Sequence, residues 1–194
     1  LDSFSSTVFK FFSAILKFSL VILITNTFGA KNYGAYAFSI SIFLFLNTLL
    51  RFGFDVYIQK KTAILLLESD RNKYQLFFVK TASISFFILL LVSLVLKLLY
   101  SLYSSQSLKF EFFNGIVLFS CFYSLMWLYA YYLRGTGNGK MSVFNLEILF
   151  PIFNITFLLL FKNLNFGVVE ILTNSFGLSI IICLVIFLCF HIIS

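Results

Sequence analysis

The sequence is poor in the residues on which most enzyme active sites depend. It has one histidine and seven acidic residues among 194, and none of them is grouped at the spacing of metal ligands or of a catalytic constellation. Cys121, Cys183 and Cys189 lie inside apolar runs without the spacing of a metal clip, which predicts reduced packing residues. We therefore expect neither an enzyme nor a cofactor or metal site.

Charge is also scarce, and this scarcity decides the class of protein. Only 11% of the residues are charged, whereas a soluble domain has roughly 25%. Hydrophobic residues make up 61% of the chain and its mean hydropathy is +1.03, so a bilayer is the expected solvent for most of it. The formal net charge of +7 then indicates anionic lipid head groups or an anionic transported ligand as partners, rather than nucleic acid.

Six apolar windows are long enough to cross a hydrocarbon core of about 30 Å. The predicted spans are Val8–Phe28, Ala35–Ile58, Tyr74–Leu99, Phe110–Leu133, Met141–Phe161 and Val168–Ile192. Short polar joints separate them, and only the joint at 59–73 is long enough to hold an interfacial helix, at "TAILLLES". The predicted fold class is an all-α integral membrane protein with six transmembrane helices, a single domain over residues 1–194.

The distribution of basic residues predicts the orientation. Seven lie in tails, joints or span ends on the N-terminal side and four on the other: Lys10, Lys60, Lys61, Arg71, Lys73, Arg134 and Lys140 against Lys31, Lys97, Lys109 and Lys162. The excess places both termini in the cytoplasm. The glycine-rich segment "RGTGNGK" is then a tight cytoplasmic turn. It lacks the first Gly and the final Ser or Thr of a phosphate-binding Walker loop.

Three basic residues lie inside the predicted spans. Lys17 lies about 12 Å, Arg51 about 10 Å and Lys80 about 9 Å from the expected cytoplasmic ends, at about 1.5 Å per residue. A charge at the centre of a span costs about 2.5 to 3.5 kcal/mol, and less at these depths. The three residues predict a cationic inner vestibule that binds an anionic ligand. Alternatively, Lys17 and Lys80 snorkel to the head groups, and Asp55 neutralises Arg51 from four residues away.

Candidate coupling or gating residues are Asp55, Glu147 and Pro151. Pro151 cannot donate a backbone hydrogen bond to the carbonyl of Glu147, so the fifth span should bend there, as a hinge or as a static kink. Glu147 is a candidate titratable site, or else a hydrated residue near a span end. Polar residues at helical spacing inside several other spans predict a hydrated cavity within the bundle.

The order and spacing of several motifs resemble those of a transporter family. The run "KFSLVILITNTFGAKNYGAYAFSISIFLFLNTLLRFGFD" resembles the start of the polysaccharide transporter family, the O-antigen and teichoic-acid type lipid-linked oligosaccharide flippases of the multidrug/oligosaccharidyl-lipid/polysaccharide exporter superfamily. The turn after the first helix is matched by Gly29, Tyr33 and Gly34, the end of the second helix by Arg51, Gly53, Asp55, Lys60 and Lys61, and the "RG-x-G-x-x-K" turn by Arg134, Gly135, Gly137 and Lys140.

The resemblance implies a fold of 12 to 14 helices in two six-helix lobes around a central cavity, with this chain as the N-terminal lobe. Because the chain starts with Leu, we expect a fragment whose C-terminal lobe is missing; a truncated product or pairing with a second copy are the alternatives. The implied cargo is an undecaprenyl-pyrophosphate-linked glycan, moved across the bacterial cytoplasmic membrane for surface polysaccharide synthesis.

Other functions stay open at this point. A multidrug or other small-molecule exporter of the same superfamily would use acidic residues to bind a cation. A small oligomeric channel would have one pore-lining helix far more polar than the others, whereas here the polar residues are spread over most spans. A membrane-embedded transferase would show clustered Asp or His at the membrane face.

Overall fold

The computed structural model describes residues 2–51, 53–67, 71–103, 117, 119–164 and 166–193, and in these residues every regular element is a helix. The elements are α1 (Asp2–Phe28), α2 (Ala30–Leu50), α3 (Phe54–Leu67), α4 (Arg71–Tyr103), α5 (Ser120–Gly135), α6 (Gly139–Phe144), a π-helix (Asn145–Leu149), α7 (Phe150–Phe161) and α8 (Val168–Ile193). The predicted all-α class is confirmed.

Four helical segments among the described residues are long and apolar enough to cross a membrane. They are Thr7–Phe28, Leu76–Val95, Gly139–Phe161 and Val168–Cys189. Large apolar side chains such as Phe11, Phe18 and Phe87 are exposed on the outside of the bundle, where lipid would cover them. These features indicate a multi-pass membrane protein and agree with the first, third, fifth and sixth predicted spans. The start of the fourth, with Lys109 and Asn114, lies outside the described residues.

The second predicted span, Ala35–Ile58, is wrong as one continuous helix, because α2 ends at Leu50 and α3 begins at Phe54. Gly53 between them has φ +76°, a backbone conformation that favours glycine. The amide of Phe54 donates to the carbonyl of Arg51 at 2.8 Å and closes the turn. The predicted joint after Ile58 is helical as far as Leu67, because α3 continues through it, and the helix expected at "TAILLLES" is the end of α3 in the described residues.

Contacts between side chains show how the helices run. α6, the π-helix and α7 follow one another without a break and are called the α6–α7 rod below. α1 is parallel to this rod, because Phe9 packs on Phe144 at one level and Lys17 pairs with Glu147 at the next. α5 runs parallel to α8, with rings in contact at two levels: Tyr123 with Phe176, and Tyr129 with Phe187. α5 contacts α2, α3, α4, α6 and α8 and forms the centre of the bundle.

The segment "RGTGNGK" is a tight turn between two helices, as predicted. Arg134 and Gly135 end α5, and Gly139 and Lys140 begin α6. Gly137 has φ +85°, and the amide of Asn138 returns to the carbonyl of Leu133 at 2.8 Å, which satisfies a carbonyl at the helix end.

Gly135 also sets how closely two helices approach. A Cβ at this position would lie 2.7 Å from the backbone oxygen of Gln59 and 3.0 Å from the Cβ of Thr62. Real Cβ contacts are essentially never shorter than 3.0 Å, so α5 and α3 can approach this closely only because residue 135 has no side chain. The glycine of the turn therefore serves helix packing, and α3 is held against the end of α5.

Candidate functional site

A cavity of about 380 Å³ lies between α1, α2, α5, α8 and the rod formed by α6, the π-helix and α7. Its size falls within the roughly 300 to 1,000 Å³ of small-molecule sites. The aromatic part of its wall consists of Tyr33, Tyr36, Tyr123, Trp127, Phe150 and Phe176. Its charged and amide-bearing lining residues are Lys17, Glu147 and Asn154. The predicted cavity inside the bundle is therefore present, and it combines aromatic surface with a few polar groups.

An ion pair joins α1 to the π-helix on the cavity wall. The ammonium nitrogen of Lys17 lies 2.6 Å from Oε2 of Glu147. Ser13, one helical turn before Lys17 and on the same face, donates to the same oxygen at 2.6 Å. Short hydrogen bonds to a charged acceptor are among the stronger polar contacts in proteins. The pair is thus a defined link between two helices that are 130 residues apart in sequence.

This ion pair is both deep along the helices and open at the surface of the chain. Along the helix axis, Lys17 lies roughly 15 Å from Thr7, the first residue of its span, at ~1.5 Å per residue. Glu147 lies roughly 12 Å from Gly139, the first residue of its own span, on the same basis. The Lys17 side chain is nevertheless 57% exposed and that of Glu147 is 26% exposed. Charged groups at such depth are costly against lipid. This face of the bundle therefore requires water or more protein beside it.

Pro151 explains the helix geometry next to Glu147. Because proline has no N–H, it cannot bond to the carbonyl of Glu147. The five residues Asn145–Leu149, which end two positions before Pro151, widen into a π-helix, a form often found at functional sites. Asn145 in this segment is buried and donates to the carbonyl of Cys183 on α8 at 3.3 Å. Pro151 itself is buried and lines the cavity. Whether it acts as a hinge stays a prediction.

Arg51 lies behind the cavity wall. It is only 8% exposed, and its guanidinium lies 3.5 Å from Oδ2 of Asp55. The pairing of these two residues at a spacing of four, one of the two sequence interpretations, is confirmed. The guanidinium carbon also sits 5.1 Å from the ring centroid of Trp127, and Trp127 lines the cavity whereas Arg51 does not. Arg51 therefore supports the wall from behind and does not meet a ligand in the cavity as it stands.

Lys80 lies apart from the other two cations. It is exposed on α4, and none of the α4 side chains that the structure describes lines this cavity. The structure thus does not bring Lys17, Arg51 and Lys80 together as the predicted vestibule. Lys17 alone lines the cavity, and its charge is paired with Glu147. Arg134 and Lys140 also lie outside the cavity lining. Arg134 donates from Nε to the Ser142 hydroxyl at 3.1 Å.

Several cavity and support residues were not singled out from the sequence. Asn47 is 1% exposed and accepts a hydrogen bond from the Ser124 hydroxyl at 2.5 Å. A polar residue inside an apolar span signals such a partner, and Asn47 lies inside the second predicted span. Trp127 and Tyr36 carried no comparable signal, because aromatic residues make up 21% of the chain.

No protein-family model, curated protein or solved structure matches this chain. The family resemblance rests on the sequence motifs alone.

Proposed function

We propose that this chain forms one lobe of a membrane transporter for lipid-linked oligosaccharides, a flippase for cell-surface polysaccharide precursors. The observation that carries the proposal is the Lys17–Glu147 pair, which is charged, at mid-span and accessible from a cavity. A helix bundle that only anchors a protein gains nothing from such a pair, because exposed charge at this depth is unfavourable in lipid. A transport pathway needs polar, hydrated surface at this level.

The chemistry of the pair suits an anionic lipid head group. Lys17 offers a compact ammonium that binds phosphate as a point charge. In the absence of ligand, Glu147 provides its counter-charge. A pyrophosphate carries more negative charge than one carboxylate and would compete with Glu147 for Lys17. Binding would then loosen the link between α1 and the π-helix, and Pro151 next to it would be the position where the α6–α7 rod flexes.

A second lobe is part of the proposal for the same electrostatic reason. The exposed side of the ion pair needs to be covered by water or protein. A facing lobe, or a second copy of this chain, would enclose the ion pair together with the water around it. The break between α2 and α3 and the π-helix also resemble the discontinuous helices that border the binding sites of many transporters.

One observation favours a second candidate, an exporter of cationic amphiphiles. Glu147 lies in a cavity whose walls include Trp127 and Tyr123, and aromatic faces together with a carboxylate attract organic cations. In this function Glu147 would bind the ligand and Lys17 would be displaced. The first candidate therefore requires Lys17 for ligand binding, whereas the second requires Glu147.

The sequence provides its own reporter for a test, since Trp127 is the only tryptophan of the chain. The purified protein in lipid nanodiscs would be titrated with undecaprenyl pyrophosphate while tryptophan fluorescence is followed, and with undecaprenol as the uncharged control. We expect a saturable change with the pyrophosphate lipid only. Lys17→Gln should weaken binding about tenfold, because a charge-assisted contact is lost.

The matched control is Lys80→Gln, which removes the same charge outside the cavity and should bind like the wild type. Equal responses to undecaprenol and to the pyrophosphate lipid, or equal losses in the two lysine variants, would refute the proposal. A response to a quaternary ammonium dye that Glu147→Gln abolishes and Lys17→Gln preserves would establish the second candidate instead.

A further inference from the structure

A buried amide lies in the cavity at a distance from the ion pair. Asn154 lines the cavity and is 4% exposed, and its Oδ1 has no hydrogen-bond partner in the described part of the chain. It follows Glu147 by seven residues, roughly 10 Å along the helix axis at ~1.5 Å per residue. The charge of the ion pair and the unpaired amide thus mark two separate parts of one cavity.

An amide oxygen that is buried without a partner destabilises the protein, and such groups are rare in native structures. The neighbouring group is the hydroxyl of Tyr36, which is also buried, lines the same cavity and lies within hydrogen-bonding reach of the Asn154 side chain. With Oδ1 unpaired, the amide has an acceptor available to a ligand beside the Tyr36 hydroxyl.

We infer that Asn154 and Tyr36 form a subsite for a hydroxyl group of the ligand, such as that of a sugar ring. A hydroxyl both donates and accepts, so it can pair with either end of the amide. A charged group is disfavoured here, because the charged residues of the cavity lining, Lys17 and Glu147, lie roughly 10 Å away along the helix axis at ~1.5 Å per residue. The aromatic faces of Tyr33 and Phe176 in the same wall would cover the apolar C–H side of a sugar.

The inference rests on the proposed function and adds to it. With the pyrophosphate at Lys17, a hydroxyl at Asn154 belongs to a glycan that extends about 10 Å beyond the head group, taking the same rise per residue. The bare lipid pyrophosphate does not carry a group there. Asn154 would therefore recognise the sugar, while Lys17 recognises the charge.

The test compares two ligands in nanodiscs with Trp127 fluorescence as the readout. They are undecaprenyl pyrophosphate and undecaprenyl pyrophosphate bearing a disaccharide. We expect the disaccharide to tighten binding about fivefold in the wild type, the value of about one hydrogen bond. Asn154→Leu should abolish this gain and leave the affinity for the bare lipid unchanged. Asn174→Leu changes an exposed asparagine on α8 and should keep the gain.

The outcomes separate the two claims. If Asn154→Leu keeps the gain, or weakens both ligands equally, the amide is structural and the inference is refuted while the proposed function stands. If the wild type binds neither lipid, the proposed function fails and the subsite fails with it. Should Asn154→Leu not fold, Tyr36→Phe removes only a hydroxyl from the same subsite, and a full sugar-dependent gain in that variant refutes the inference.

Discussion

Removal of the Lys17–Glu147 pair is the perturbation that best tests the described structure. The three variants are Lys17→Met, Glu147→Gln and the two together, compared with the wild type in a double-mutant cycle. Each single change leaves one charged group without its partner, at roughly 12 to 15 Å from the end of its span at ~1.5 Å per residue. The double change leaves two uncharged side chains of similar size.

The expected coupling energy is about 1 to 2 kcal/mol. A hydrogen bond to a charged group contributes about 1.5 to 3 kcal/mol, and the 57% exposure of the Lys17 side chain lowers this value, since exposed ion pairs are screened. For a chain of this size 1 kcal/mol corresponds to roughly 2 to 4 °C in melting temperature. The coupling should therefore amount to about 2 to 8 °C.

The assay is thermal unfolding of the purified variants in one detergent, followed by circular dichroism. Lys80→Met is the matched control, because it removes a lysine that is exposed on α4 outside the cavity, and its melting temperature should stay within about 1 °C of the wild type. If the two single changes add without coupling, Lys17 and Glu147 are not paired in the protein, and the site as described is refuted.

Further predictions concern packing and the helix breaks. Gly135→Ala should lower stability by about 1 to 3 kcal/mol through overpacking against α3. Gly139→Ala should be neutral or stabilising, because a Cβ there would meet only Cγ of Arg134 at an ordinary contact distance of 3.9 Å. Equal melting temperatures would contradict the close contact at Gly135. Ser124→Ala leaves the buried oxygen of Asn47 unpaired and should cost about 1 to 3 kcal/mol in thermal unfolding, a loss that Asn47→Leu in the same chain should reduce. Pro151→Ala restores a backbone donor, so hydrogen exchange measured by mass spectrometry should slow in the π-helix; unchanged exchange there would argue against the proline as the cause of the widened turn.

The sequence predicted features that depend on local spacing. Long apolar runs determined the helices, the glycines of "RGTGNGK" determined the tight turn, and the spacing of four between Arg51 and Asp55 determined their pairing. The break after Leu50 was missed because the apolar character continues through it, so hydropathy gives no signal there. A single glycine such as Gly53 does not reveal its φ angle from sequence.

Features that depend on which helices are neighbours could not be predicted. Lys17 and Glu147 meet only because α1 packs parallel to the α6–α7 rod, and two apolar spans carry no charge pattern that specifies this pairing. The same limit explains why three cations on separate spans were grouped into one vestibule. Depth along a helix follows from sequence position, but the direction in which each residue faces follows from packing.

The close contact at Gly135 has a mechanical consequence for the break at Gly53. α3 is fixed against α5 by backbone contact, while α2, on the other side of the break, contributes Tyr33, Tyr36, Ala37, Ile40, Ser41 and Leu44 to the cavity wall. α3, which is held against α5, and α2, which lines the cavity, are thus connected through Gly53. α2 is roughly 30 Å long at ~1.5 Å per residue, so a rotation of about 5° at Gly53 would move its far end by about 3 Å over such a lever. A small change in backbone angle at this pivot would widen or close the cavity while α3 stays packed on α5. The hydrogen bond from Ser124 to Asn47, close to the pivot, would limit the rotation.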